Sequence, residues 1–156
     1  MTEFRIRLEC DEDDRTFIRQ MNECLSSVIN APTHSNDEVR AFQDRFTESS
    51  CNADARVSAT FMAVDNYGQR LGYVNVREGM DDIANEPCGY IALLAVVAEA
   101  EGKGVGQALL QTAERWTREM GFRRLSLDVF ASNGRGQQFY EMAGFRPETV
   151  RLIKQV

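Results

Sequence analysis

The stretch EAEGKGVGQALLQTAERW, Glu99 to Trp116, decides how this chain is read. Glycines stand at 102, 104 and 106, and apolar residues at helical spacing begin immediately afterwards. A loop so bare of side chains lets successive backbone N–H groups turn to one side and form an anion-binding concavity. A helix starting near Val105 adds the positive end of its dipole, worth roughly half a charge. Lys103 adds a full charge. Such an assembly suits a pyrophosphate or a similar anion.

Two common phosphate loops fail on spacing. A Walker loop needs Gly-Lys followed by Ser or Thr, whereas the fifth residue after Gly102 is Gln107. A dinucleotide fingerprint needs GxGxxG directly after a strand. Here the spacing is GxGxG, and AEAE separates it from the preceding apolar run. Asp128 lies about twenty residues on, as that fingerprint wants, but only about fifty residues follow the loop. A tight turn serving helix–strand packing alone remains open at this point.

Outward from the loop, GYIALLAVV (89–97) reads as a strand buried on both faces. Val105, Ala108, Leu109, Thr112, Ala113, Trp116 and Met120 mark one face of a helix that Gly121 should end. RRLSLDVF (123–130) is a strand with Leu125, Leu127 and Val129 on one face, so that Ser126, Asp128 and Phe130 share the other. A short helix follows, capped by Ser132 or Asn133 and closed at Gly144, and ETVRLIKQV (148–156) is a final strand. Upstream, FRIRLEC (4–10) alternates like a half-buried strand. Residues 11–30 form a helix with an acidic start, and residues 36–48 form a second one capped by Asn36 or Asp37. RVSATFMAV and LGYVNV are strands joined at DNYGQR, and residues 79–88 form a loop. The order β-α-α-β-β-β-α-β-α-β describes an α/β fold, a mixed central sheet flanked by helices on both faces, with a parallel central β-α-β unit.

The 156 residues suit one domain spanning 1–156, and 43% hydrophobic content can supply its core. No apolar run approaches the ~20 residues of a membrane helix, and the charged N-terminus lacks a signal-peptide core, so no membrane partner and a cytoplasmic setting are expected. Four scattered cysteines and one histidine argue against a metal site. Residues 1–101 carry 9 basic and 19 acidic side chains, and residues 102–156 carry 9 basic and 5 acidic. An acidic half beside a basic half fits a protein that holds a cation with one and an anion with the other, and no basic stripe of the nucleic-acid-binding kind is present.

LLAVVAEAEGKGVGQALL resembles motif A of the GCN5-related N-acetyltransferases, whose frame is Gln/Arg-x-x-Gly-x-Gly/Ala. Gly104 and Gly106 fall on that frame, and Glu101 stands where Gln or Arg is usual. LSLDVFASNGRGQQFYEMAGF resembles the family's later segment, and together the two cover about residues 90–146. The resemblance implies acetyl-coenzyme A (acetyl-CoA) as cosubstrate, bound where strands 89–97 and 123–130 splay apart. The backbone of Leu94, Ala95 and Val96 would pair with the pantetheine arm. Gly102, Lys103, Gly104, Val105, Gly106 and Gln107 would hold the pyrophosphate. Asn133 matches a residue that contacts the arm, and Arg135 is either a phosphate ligand or a solvated surface arginine.

The same resemblance places Tyr140 as general acid toward the sulfur, in a direct amine attack on the thioester. Asp128 is the first candidate for general base, with Glu78, Tyr90 or a water chain as alternatives. The acidic residues Asp11 to Asp14, Asp81, Asp82 and Glu86, together with the N-terminal helices and the 79–88 loop, would favour a cationic amine or a protein N-terminus as acceptor. Relatives of this kind are often homodimers. A CoA-binding sensor without turnover and a dinucleotide-binding protein are the competing readings.

Overall fold

The computed structural model describes residues 3–156. Five strands form one mixed sheet in sequence order: β1 (Phe4–Leu8), β2 (Ser58–Asp65), β3 (Arg70–Asp81), β4 (Glu86–Val96) and β5 (Leu125–Leu127). The first four are antiparallel to their neighbours, and β5 runs parallel to β4. Between β1 and β2 lie α1 (Glu12–Gln20), α2 (Asn22–Ser27) and α3 (Asn36–Cys51). The helix α4 (Val105–Glu119) crosses from β4 to β5, and α5 (Gly134–Met142) follows β5. The α/β architecture with helices on both faces is as the sequence predicts.

The order departs from expectation in two places. The helix expected over 11–30 breaks at Met21 into α1 and α2. The strand expected at 148–156 pairs with nothing among the described residues. Val150 and Leu152 are left 81% and 89% exposed on an extended tail, because alternation alone supplies no neighbouring edge. The loop expected over 79–88 is also largely sheet, since the β3–β4 ladder runs on to the Asp81–Glu86 pair.

Two apolar layers sandwich the sheet. Val105, Leu109, Leu110 and Ala113 of α4 bury against Val74, Val76 and Ile91 on one face. Ile18 and Met21 meet Met62, Tyr73, Leu93 and Ala95 on the other. Caps fix the helix ends. Ser35, rather than Asn36 or Asp37, starts α3 with a reciprocal capping box to Glu38. Gly121 ends α4 at φ 82° and Gly144 ends α5 at φ 99°. In each case the next residue's N–H bonds back to a carbonyl five residues earlier, the Schellman arrangement.

Candidate active site

The site begins with a defect in β4. Asn75 pairs with Leu93 and Val76 with Ile91, so Ala92 has no partner on β3 and the strand bulges there. On the other edge, β5 pairs only with Gly89, Tyr90 and Ile91. Beyond Ile91 the edge of β4 that faces β5 is open, and Leu94, Ala95 and Val96 lie along it. Gly89 holds the pivot: a Cβ there would collide with Thr117 of α4 and come within 3.0 Å of Leu125. The helix, β4 and β5 are therefore drawn together at 89–91, and the two strands part above that point.

The glycine loop closes the far end of this opening. Gly102 and Gly104 sit at φ 75° and 84°, a backbone region that other residues enter only with strain, and both face open space. The first bond into α4 is the Ala108 N–H to the Gly104 carbonyl, 3.0 Å. The amides of Gly104, Val105, Gly106 and Gln107 therefore precede it unpaired among the described residues, at the positive end of the helix. Lys103 differs in that its N–H is already given to the Ala100 carbonyl at 3.3 Å, which leaves its exposed ammonium to meet an anion. Gly106 packs against α5, where a Cβ would touch the Phe139 ring at 3.4 Å. Glu101, the departure from the usual motif, is met by Arg135 of α5 at 3.1 Å, so a guanidinium stands at the loop after all.

On the β5 side, the Asn133 side chain accepts from the Gly136 N–H at 2.9 Å and so caps α5. Ser132, the other cap candidate, acts elsewhere. Its hydroxyl donates to the Val28 carbonyl at 2.7 Å and accepts from the Asn30 N–H at 2.9 Å, tying the end of α2 to the loop after β5. Tyr140 packs its ring edge-on against Phe139 and Phe145, with centroids 5.2 and 5.7 Å away. Its hydroxyl makes no hydrogen bond among the described residues. Burial pushes the phenol up to about 12, so it remains protonated at neutral pH.

Asp128 lies just past β5, on the sheet face opposite α4. Its Oδ2 accepts from the Tyr90 hydroxyl at 2.7 Å. Burial, and next the hydrogen bond to that carboxylate, push the Tyr90 phenol upward, so Tyr90 is a donor here. Tyr90 thus orients Asp128 and leaves Oδ1 free. Around this pair stand Phe42, edge-on to Phe130 at 6.1 Å, and Phe46. Arg77 of β3 lies over both the Tyr90 ring (5.4 Å) and the Phe46 ring (5.7 Å). The sequence reading missed Arg77. Its only signal was an arginine ending the apolar run LGYVNV.

Several of the acidic residues expected to charge the acceptor side are paired with arginines instead. Asp14 is fully buried between Arg7 and Arg70. Glu86 meets Arg123 at 2.9 Å and Arg124 at 3.1 Å, and Arg124 also pairs with Asp81. Cys10, Asp11 and Asp14 offer three ligand atoms close enough for a metal ion. Both Asp14 oxygens, however, already hold arginine.

Residues 20–145 match the model of the acetyltransferase (GNAT) family. The chain belongs to that family. Its members bind CoA and acetyl-CoA, and this chain is an acetyl-CoA-dependent N-acetyltransferase. It is 29% identical over 113 residues to an aminoglycoside N(6')-acetyltransferase type 1 of Stenotrophomonas maltophilia, covering 70% of this chain and 71% of that one. It is 30% identical over 93 residues to a putative [ribosomal protein bS18]-alanine N-acetyltransferase of Bacillus subtilis, covering 60% and 58%. Among solved structures, a putative acetyl transferase from Pyrococcus furiosus superposes with TM-score 0.80 at 26% identity, over 99% of this chain and 100% of that one. Among the described residues, no helix is long and apolar enough to cross a membrane.

Proposed function

We propose that this GNAT domain moves the acetyl group of acetyl-CoA directly to a primary amine, with Asp128 as general base and Tyr140 as general acid. The observation that carries the reading is the open edge of β4 beyond Ile91, with unpaired amides at its mouth.

The residues present fit the cosubstrate. Leu94, Ala95 and Val96 offer a free strand edge to an amide-bearing arm. The amides of Gly104 to Gln107, with Lys103 and Arg135, offer a cationic cradle to a diphosphate. Asn133 holds the start of α5 beside that path. The thioester supplies an activated acyl carbon.

The acceptor arrives as an ammonium, attracted by the free oxygen of Asp128, and gives its proton to that carboxylate. The nitrogen lone pair then forms the C–N bond as the C–S bond breaks, and the second proton left on that nitrogen passes to solvent to leave the amide. Tyr140 donates its proton to the departing sulfur and recovers one from solvent. Most of the acceleration comes from holding two reactants together, so no acyl-enzyme is required. Acceptors consistent with this reading are a cationic small molecule or a protein N-terminus. Two of the relatives named above carry an aminoglycoside and, for a putative enzyme, an alanine of ribosomal protein bS18 in their names.

Following thiol release from acetyl-CoA across a panel of amines tests the reading. Release with at least one amine class is expected. Tight CoA binding with no release over a broad panel would leave a cofactor-binding module in place of a catalyst.

A further inference from the structure

Of the arginines in the described residues, three are half-buried: Arg7, Arg70 and Arg77. Arg7 and Arg70 are committed to Asp14 at 2.7 and 2.6 Å. Arg77 forms no ion pair and donates no hydrogen bond among the described residues. Its guanidinium carbon instead lies over the Phe46 ring and the Tyr90 ring, 5.7 and 5.4 Å from their centroids, both within the reach of a cation–π contact. Neither contact uses an N–H donor in a hydrogen bond, so those donors remain for a ligand. Those donors form a rigid fork that matches a carboxylate or phosphate.

Its position matters as much as its state. Arg77 and Asp128 contact the same tyrosine, one over the ring face and the other at the hydroxyl. A cation and a carboxylate thus share one tyrosine as a common neighbour, with the Phe46 ring also against the cation. A short ligand with an amine at one end and an oxyanion at the other spans the two charges in a single orientation.

We infer that the acceptor is a zwitterionic amine, whose ammonium meets Asp128 while a carboxylate or phosphate a few bonds away is forked by Arg77. This rests on the proposed acetyl transfer for its chemistry, but the binding claim stands on Arg77 and Asp128 alone. It also separates the acceptor from pure polycations, which Arg77 would repel.

Matched pairs test it: tyrosine against tyramine for the carboxylate, and phosphoethanolamine against ethanolamine for the phosphate. In at least one pair, kcat/KM for the oxyanion-bearing member should exceed that of its partner by about tenfold to a hundredfold, the scale of a charged hydrogen bond. Which pair shows the gap identifies the oxyanion. Arg77→Gln should bring that ratio close to one, and Arg77→Lys, which keeps charge but loses the fork, should give an intermediate ratio. Faster turnover of the partners that lack an oxyanion, or of kanamycin or spermidine, overturns the inference and leaves acetyl transfer intact. So does an unchanged ratio in Arg77→Gln. If no amine releases thiol, thermal shift in the presence of CoA decides instead. Stabilisation of wild type by tyrosine or phosphoethanolamine but not by tyramine or ethanolamine, lost in Arg77→Gln, supports the site although the catalytic reading has failed. Equal or no stabilisation by the members of each pair overturns the site. Should Arg77→Gln not fold, the wild-type ratios and Arg77→Lys still decide.

Discussion

Asp14 and Asp128 are both carboxylates, and they live in opposite conditions. Asp14 is 0% exposed, and each of its oxygens is taken: Oδ2 by Arg7, Oδ1 by Arg7 and Arg70. The Cys10 N–H adds a further bond at 3.0 Å. Asp128 is exposed and has one donor, Tyr90, on one oxygen. A carboxylate with every lone pair occupied can hold a fold together but can accept nothing. One with a free oxygen beside an open sheet edge can take a proton. The same contrast separates Arg70, spent on Asp14, from Arg77, stacked and unspent.

The first way to break this contrast is to remove Asp14. Asp14→Ala strands two partly buried guanidinium groups and should cost about 3–5 kcal/mol, measured by urea denaturation. Activity per folded molecule should be unchanged. The pH dependence carries the same signature. Burial alone would raise the Asp14 carboxyl, but the hydrogen bonds from Arg7 and Arg70 outweigh it and hold the group well below the usual carboxylate range. A depressed folded value means that the unfolded chain binds the proton first as acid is added. The stabilisation is therefore complete above about pH 5 and lost as pH falls through the ordinary aspartate value near ~3.9 and below. Asp14→Asn should flatten that acid limb, and a limb of unchanged steepness would place acid lability elsewhere.

Removing Asp128 should do the reverse. Asp128→Asn should lower kcat/KM by about 10³-fold, near ~4 kcal/mol of barrier. Its stability should stay within about 0.5 kcal/mol of wild type, as for an exposed substitution. A large loss of stability with intact turnover would exchange the roles assigned to the two aspartates.

Tyr140→Phe is the next test in size. Loss of a positioned acid should lower turnover by roughly 10²-fold. Because the Tyr140 hydroxyl bonds to nothing in the fold, CoA affinity should hold. Equal losses in affinity and turnover would mean that the hydroxyl binds the cosubstrate and does not protonate it.

These contrasts were unevenly legible in the sequence. Gly121 and Gly144 announce helix ends because the left-handed position after a helix excludes most side chains, and both fall where expected. The bare loop at 102–106 and Tyr140 stand in motifs dense enough to read. The capping pair Ser35 and Glu38 was visible as Ser-x-x-Glu but lost to the acidic residues beside it. Asp14 read as part of a helix start, and it does lie in the first turn of α1. Its bond to Arg70 spans 56 residues, which no local pattern encodes. The break at Met21 is hidden because apolar spacing runs through it. The tail at 148–156 alternates like a strand, but a strand also needs an edge to pair with. Arg77 was invisible for a related reason: an arginine becomes a site only when two rings, from α3 and β4, close on it.

The smallest expected effect concerns the loop itself. Gly104 sits at φ 84° with nothing within reach of a Cβ, so no protein atom would clash with a larger residue. Gly104→Val would still force a β-branched side chain into a left-handed conformation costing about 1–2 kcal/mol. Either the strain is accepted, or the loop relaxes and turns the amides of Gly104 to Gln107 away from their common point. The second outcome should weaken CoA binding about tenfold in a titration, with less change in the amine's KM. A variant that loses stability but binds CoA as wild type would show that the strain stays local, and that the anion rests on Lys103 and Arg135 more than on the peptide groups.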